Sequence, residues 1–123
     1  MKRRGSLVMK HILVVDDDKN IVMVTKLILQ QLGFGVFTAR NGLEGIEILE
    51  TQNHLDLVLT DIRMPEMDGN EFARYVRNST KYMHIPMVAI TGYGDEADSQ
   101  LFKSVLLKPF RVQDLAKVID SFS

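Results

Sequence analysis

Three kinds of side chain, at the ends of four apolar runs, stand in this sequence where they could do chemistry together. Asp16, Asp17 and Asp18 follow the apolar run "HILVV", Asp61 follows "LDLVLT", Thr91 follows "PMVAI" and Lys108 follows "SVLL". An acid at the end of a buried run is either a turn or helix-capping device or a group that meets a ligand. Each residue taken alone has a bland reading: "DDD" as a solvated turn and cap, Asp61 as a turn residue, Thr91 as a common strand end, Lys108-Pro109 as a turn signal. Taken together they describe a site. Clustered carboxylates repel one another at neutral pH and need a cation, and oxygen-only ligands select a hard ion such as Mg²⁺. A point positive charge and a hydroxyl beside them suit the oxygens of a phosphoryl group. One of the aspartates can then act as nucleophile and form an acyl phosphate.

Such chemistry requires a fold that brings the ends of several segments to one place. The run at 11–15 is short, branched and almost wholly apolar, as expected of a strand covered on both faces. From Lys19 to Leu32 the apolar positions Ile21, Val24, Ile28 and Leu32 recur at helical spacing, with Gly33 as the stop. The alternation continues with strands expected at 34–39, 55–60, 86–90 and 104–107 and helices at 41–50, 69–78 and 111–121. Asn41 with Glu44 reads as a helix start, as do Asp68 and Gly69. Five strands alternating with helices imply right-handed crossovers, hence an α/β, doubly wound five-stranded parallel sheet with helices on both faces. In such sheets ligands bind beyond the carboxyl ends of the strands, where the strand order reverses. All the residues singled out above would lie on that edge.

Composition removes several other classes of function. At 123 residues the chain fits one domain, and 15 basic against 16 acidic residues offer no general attraction to nucleic acid or to an anionic membrane. The absence of cysteine excludes disulfides, thiolate metal sites and cysteine nucleophiles, and His11, His54 and His84 have no ligand-type spacing. No run approaches the length of a membrane span. Lys10, His11 and the three aspartates interrupt the start in a way no secretion signal tolerates, so the expected location is cytoplasmic. Residues 1–8 read as a solvated, poorly ordered tail, derived from expression or from a start upstream of Met9, and 9–123 as the domain.

With "ILVVDDD", "ARNGLEGI", "LVLTDIRMPEMDG", "VAITGYG" and "LLKPF" in this order over nearly the whole chain, the sequence resembles the receiver domain of two-component response regulators. The resemblance implies a flavodoxin-like sheet of strand order 2-1-3-4-5 and a regulatory phosphoacceptor rather than a freestanding enzyme. It makes Asp61 the phosphoacceptor and Asp16 and Asp17 the acidic pair, with Asp17 bound to Mg²⁺ directly and Asp16 through water. The backbone carbonyl of Arg63 would complete the protein ligands. Thr91 would be the switch hydroxyl, and Lys108, followed by an often cis Pro109, the phosphate-binding lysine. Implied partners are a histidine kinase or phosphotransfer protein and an output partner that these residues do not specify. Two alternatives remain beside it. One is a degenerate module that binds partners without phosphorylation, against which the intact Asp17, Asp61, Thr91 and Lys108 argue. The other is a magnesium-dependent aspartyl-phosphate phosphatase, which would carry an acid where Arg63 stands and a cap domain that this length does not hold. No residues follow the last helix for an output domain, which suggests a stand-alone receiver or one cut from a longer chain.

The sequence departs from the family between Thr91 and Lys108. Only 16 residues lie between them, and they must supply a loop, a helix and the last strand. Two glycines open the segment, and "DEADSQLFK" holds about two helical turns at most, so this helix is expected to be short, displaced or disordered. Val105 falls where the family usually has a switch aromatic, which points to signalling through ordering of the loop around Thr91 to Asp98 rather than through a ring that swings inward.

Overall fold

The structure is a computed structural model, and it describes residues 10–52 and 54–122. The proposed tail at 1–8 lies outside them. The chain alternates β1 (His11–Val15), α1 (Lys19–Gln31), β2 (Gly35–Ala39), α2 (Gly42–Thr51), β3 (Leu57–Thr60), α3 (Gly69–Arg77), β4 (Met87–Thr91), β5 (Ser104–Leu107) and α4 (Val112–Asp120). All strand pairs are parallel, in the order β2-β1-β3-β4-β5.

Alternation along the strands divides the core into two layers. Leu13, Val15, Val58 and Met87 pack with Leu49 of α2 and with Phe72 and Val76 of α3. Ile12, Val14, Leu57, Leu59 and Val88 pack on the other face with Leu29 of α1 and with Leu115 and Ile119 of α4. The apolar runs without polar interruption are thus strands sandwiched between helices.

Helix ends follow the local chemistry. The Asp18 carboxylate caps α1, accepting from the N–H groups of Asn20 and Ile21 at 2.9 and 3.3 Å. At the other end Gly33 adopts φ +97°, with Gly33 N–H bonded to Gln30 O and Phe34 N–H to Leu29 O, so the glycine read as a stop makes a left-handed cap. Asp68 and Glu71 form a reciprocal capping box at the start of α3. Strand β3 begins at Leu57 rather than at 55, because Asp56 turns its carboxylate to the His11 N–H at 2.9 Å. Strand β4 runs one residue further than expected and includes Thr91.

Among the described residues no α-helix joins β4 to β5. The shortening goes beyond the two turns that the sequence allows: Gly94–Glu96 make one 3₁₀ turn and the segment then continues in turns. Ala97, Leu101 and Phe102 still cover the sheet there, packed against the α2–α3 layer. Val105 is exposed, with Leu107 on the same side of β5, and no aromatic lies there to turn inward. Arg77 of α3 ties this segment to the turn before β4: its guanidinium donates to Leu101 O (3.3 Å) in the segment and to Met83 O (2.6 Å) and Ile85 O (3.1 Å) in that turn. Burial alone pulls this guanidinium below its usual pKa. Arg77→Ala leaves three carbonyls without a donor and is expected to cost about 2–3 kcal/mol, a fall of roughly 8–12 °C in Tm by calorimetry. An unchanged Tm would show that water replaces the guanidinium at no cost.

Candidate functional site

The strand order reverses between β1 and β3, and their carboxyl ends carry the acids. Val15 pairs with Ala39 on one side and Thr60 on the other, so Asp16 and Asp61 leave adjacent strands at the same level. Backbone bonds hold both there: Asp16 N–H to Ala39 O at 3.1 Å and Asp61 N–H to Val15 O at 2.8 Å. Asp16, Asp17 and Asp61 each offer a carboxylate oxygen, and these oxygens lie within 4.8 Å of one another. Asp16 and Asp61 are buried and Asp17 is exposed. The "DDD" run therefore divides: two acids enter the site and the third, Asp18, caps α1.

Lys108 follows the edge strand β5 and reaches back to both buried acids, with Nζ 2.9 Å from Asp16 Oδ2 and 3.1 Å from Asp61 Oδ2. The other oxygens are held by main chain, Asp16 Oδ1 by the Asp18 N–H (3.0 Å) and Asp61 Oδ1 by the Ile62 N–H (2.7 Å). Burial pushes the Asp16 carboxyl up to about 6, the Asp61 charge adds to this, and the bonds from Asp18 and Lys108 oppose it. For Lys108, burial acts downward but the two carboxylates outweigh it and hold the ammonium above its usual value. Asp16 therefore binds its proton more tightly folded than unfolded. Its contribution to stability is full below the unfolded carboxylate pKa and is lost as pH rises through about 6.

Thr91 ends β4 with its hydroxyl buried, accepting from the Tyr93 N–H at 3.2 Å. Lys108 N–H bonds to Thr91 O at 2.9 Å, which ties the two residues across the last pair of strands, and the Lys108-Pro109 peptide is cis.

The loop from β3 to α3 forms the wall behind Asp61. Thr60 Oγ1 donates to Asp61 O at 2.9 Å. Glu66 is the only non-glycine residue with positive φ (+71°) among those described, and Met67 N–H bonds back to Pro65 O at 2.8 Å, a three-residue turn of the strained kind. Gly69 then brings α3 against the acid: its N–H donates to Ile62 O at 2.8 Å, and a Cβ there would lie 2.1 Å from Asp61 O.

The side chain of Arg63 pairs with Glu96, and its guanidinium carbon lies 4.7 Å from the centre of the Tyr93 ring. Glu96 and Asn70 were not singled out by the sequence. Their contacts depend on the path of a connection that carries no periodic pattern, and nothing in the residue types foretells it.

The donor set fits a hard divalent ion: oxygen ligands only, one of the acids open to solvent, and three carboxylates against one ammonium. An open parallel sheet with an acidic cluster and a lysine at its switch point defines a doubly wound, flavodoxin-like domain built to hold a cation and a phosphoryl group. The chain belongs to the response regulator receiver domain family, whose model matches residues 12–120. It is therefore a regulatory phosphoacceptor module of two-component phosphorelay signalling. It is 44% identical over 84 residues to the CAI-1 autoinducer sensor kinase/phosphatase CqsS of Vibrio cholerae, a match covering 68% of this chain and 12% of that protein. The chain thus spans about an eighth of that curated relative. It is similar in structure to the chemotaxis response regulator CheY4 of Vibrio cholerae (TM-score 0.86, 28% identity, 94% of this chain and 100% of that one). It is also similar to the response regulator TrrA of Thermotoga maritima in complex with Mg²⁺ and BeF (TM-score 0.84, 32% identity, 94% and 100%). No helix among the described residues is long and apolar enough to cross a membrane.

Proposed function

We propose that Asp61 is the phosphoacceptor and that Asp16, Asp17, Asp61 and the backbone carbonyl of Arg63 hold Mg²⁺, in a domain comprising residues 9–123. The observation that carries this reading is the placement of Lys108 between two buried carboxylates at the switch point. The ion, when bound, neutralises the acids and the phosphoryl oxygens. The Ile62 N–H fixes one Asp61 oxygen, leaving the other as nucleophile facing the ammonium. In transfer from a phosphohistidine, this oxygen bonds to phosphorus, the phosphorus–nitrogen bond breaks and the imidazole leaves. Lys108 and Thr91 then receive the phosphoryl oxygens. The donor would be a histidine kinase or phosphotransfer protein of the cytoplasm. Neither nucleic acid nor membrane is a direct partner of this module. The phosphatase alternative gains nothing from the geometry, since Arg63 supplies no acid.

Incubation with acetyl phosphate, followed by intact-mass measurement, tests the proposal. One phosphoryl group is expected with Mg²⁺ and none with EDTA. Equal incorporation in both would sink it.

The lifetime of the product depends on two neighbours of the site. Arg63 offers no acceptor for a water proton, and Tyr93 is bulky, so hydrolysis of the acyl phosphate should be slow. Replacing Arg63→Asn and Tyr93→Glu together is expected to raise its rate by about tenfold, measured by loss of label after removal of the donor. A rate that stays the same or falls would refute this account.

A further inference from the structure

The connection between β4 and β5 is held down by side chains from the far side of the site. Asn70, in the first turn of α3, donates to Glu96 O at 2.8 Å and accepts from the Asp98 N–H at 2.9 Å. These two bonds fix the backbone on either side of Ala97, and with it the origin of the Glu96 side chain. The Glu96 carboxylate meets the Arg63 guanidinium, which also stacks on Tyr93. The two partners are unequal: the Arg63 side chain is 69% exposed, Glu96 only 23%. Glu96 is thus the fixed member and Arg63 the long, solvated one that would otherwise range over many rotamers. Asp17, Arg63 and Glu96 line a single cleft. The second Glu96 oxygen, Oε2, is buried without a hydrogen-bond partner and is closed to water.

We infer that Glu96 is a positioning residue for the lifetime of the phosphoryl group: it holds the Arg63 guanidinium over the cleft, against Tyr93, in the path of a hydrolytic water. The inference rests on Asp61 as phosphoacceptor. In the step it retards, a water oxygen bonds to phosphorus, the bond from phosphorus to the Asp61 oxygen breaks, and its electron pair returns to the Asp61 carboxylate. The water's protons leave with inorganic phosphate and solvent. A guanidinium cannot accept such a proton. The Glu96 carboxylate is engaged through Oε1 and shut off at Oε2. Without Glu96, Arg63 keeps only its contact with an exposed ring, and the cleft opens to water.

Glu96→Gln in the full chain tests this, with acetyl phosphate and Mg²⁺ as probes. Exposed ion pairs shift populations by up to roughly fivefold, so the phosphoryl group should be lost about two to five times faster than from the unaltered protein. The initial rate of labelling and the Mg²⁺ affinity should be equal in the two. The NMR signal of the Arg63 Nε–H should move to the position of a free arginine. Added salt should speed the loss in the unaltered protein and leave the variant unchanged, because only the former has an ion pair to screen. Equal or slower loss from the variant, or an Arg63 signal that does not move, would overturn the role of Glu96 while leaving the phosphoacceptor intact. Absence of label in both proteins would remove the phosphoacceptor reading, and this inference with it.

Discussion

Asp61→Asn should reduce phosphoryl incorporation from acetyl phosphate to nothing, with the protein still folded. The amide has nearly the volume of the carboxylate, and its oxygen can still accept from the Ile62 N–H that now bonds Asp61 Oδ1 at 2.7 Å. The packing around the end of β3 is therefore kept. The loss falls on the second anionic oxygen, the one facing Lys108 at 3.1 Å, and with it on the nucleophile. One of three carboxylates is also lost to the ion, so Mg²⁺ binding should weaken in the same variant. Intact mass reads the first effect, a metal titration the second, and circular dichroism shows that the fold survives. Label persisting in this variant would move the acceptor to Asp16 or Asp17, whose oxygens share the site.

Gly69→Ala is expected to be the most damaging single-methyl change in the protein. Helix propensity argues the opposite way, since alanine within a helix is favoured over glycine by about 1 kcal/mol. Here the added Cβ would lie 2.1 Å from Asp61 O, 2.9 Å from Ile62 Cα and 3.0 Å from Asp61 C. Each of these is a backbone atom, and none can rotate away. Either α3 withdraws, breaking the Gly69–Ile62 bond of 2.8 Å, or the acid loop is displaced. Overpacking of this kind costs up to about 3 kcal/mol, roughly 12 °C in Tm for a domain of this size. Labelling should fall with it, because the displaced atoms belong to Asp61 itself. A more stable alanine variant would mean that propensity wins and that the close approach is not required.

The parallel sheet, the helix placement and the acidic cluster were legible because they depend on patterns that the chain carries locally, whereas the strand order was implied by the family resemblance and is borne out. Unbroken apolar runs mark strands covered on both faces, and the residues just after each run must lie at the same edge of a parallel sheet. Asp16, Asp17, Asp61 and Lys108 meet there as the sequence implied. Less legible was the division of labour within "DDD", since a helix cap and a metal ligand use the same residue type, and only the start of α1 at Lys19 assigns Asp18 to capping. Least legible were the cross-links of the shortened connection. Arg77, Asn70 and Arg63 reach residues 24 to 33 positions away, and none of them recurs with any period. The length of that segment announced a missing helix but not the contacts that hold it instead.

The two sides of the site differ mechanically. At Gly42, Gly45 and Gly69 an added methyl carbon would come within 3 Å of Met67, of Phe72 and of the Asp61 backbone, so α2, α3 and the acid loop interlock without clearance. Close-packed surfaces of this kind transmit displacement and resist compression. The segment from Tyr93 to Asp98 packs Ala97 against the core and is otherwise held by a few polar side-chain contacts. One wall of the site is stiff and the other compliant. A force generated at Asp61 by a newly attached dianion would leave α2 and α3 in place and be taken up as movement of the β4–β5 segment.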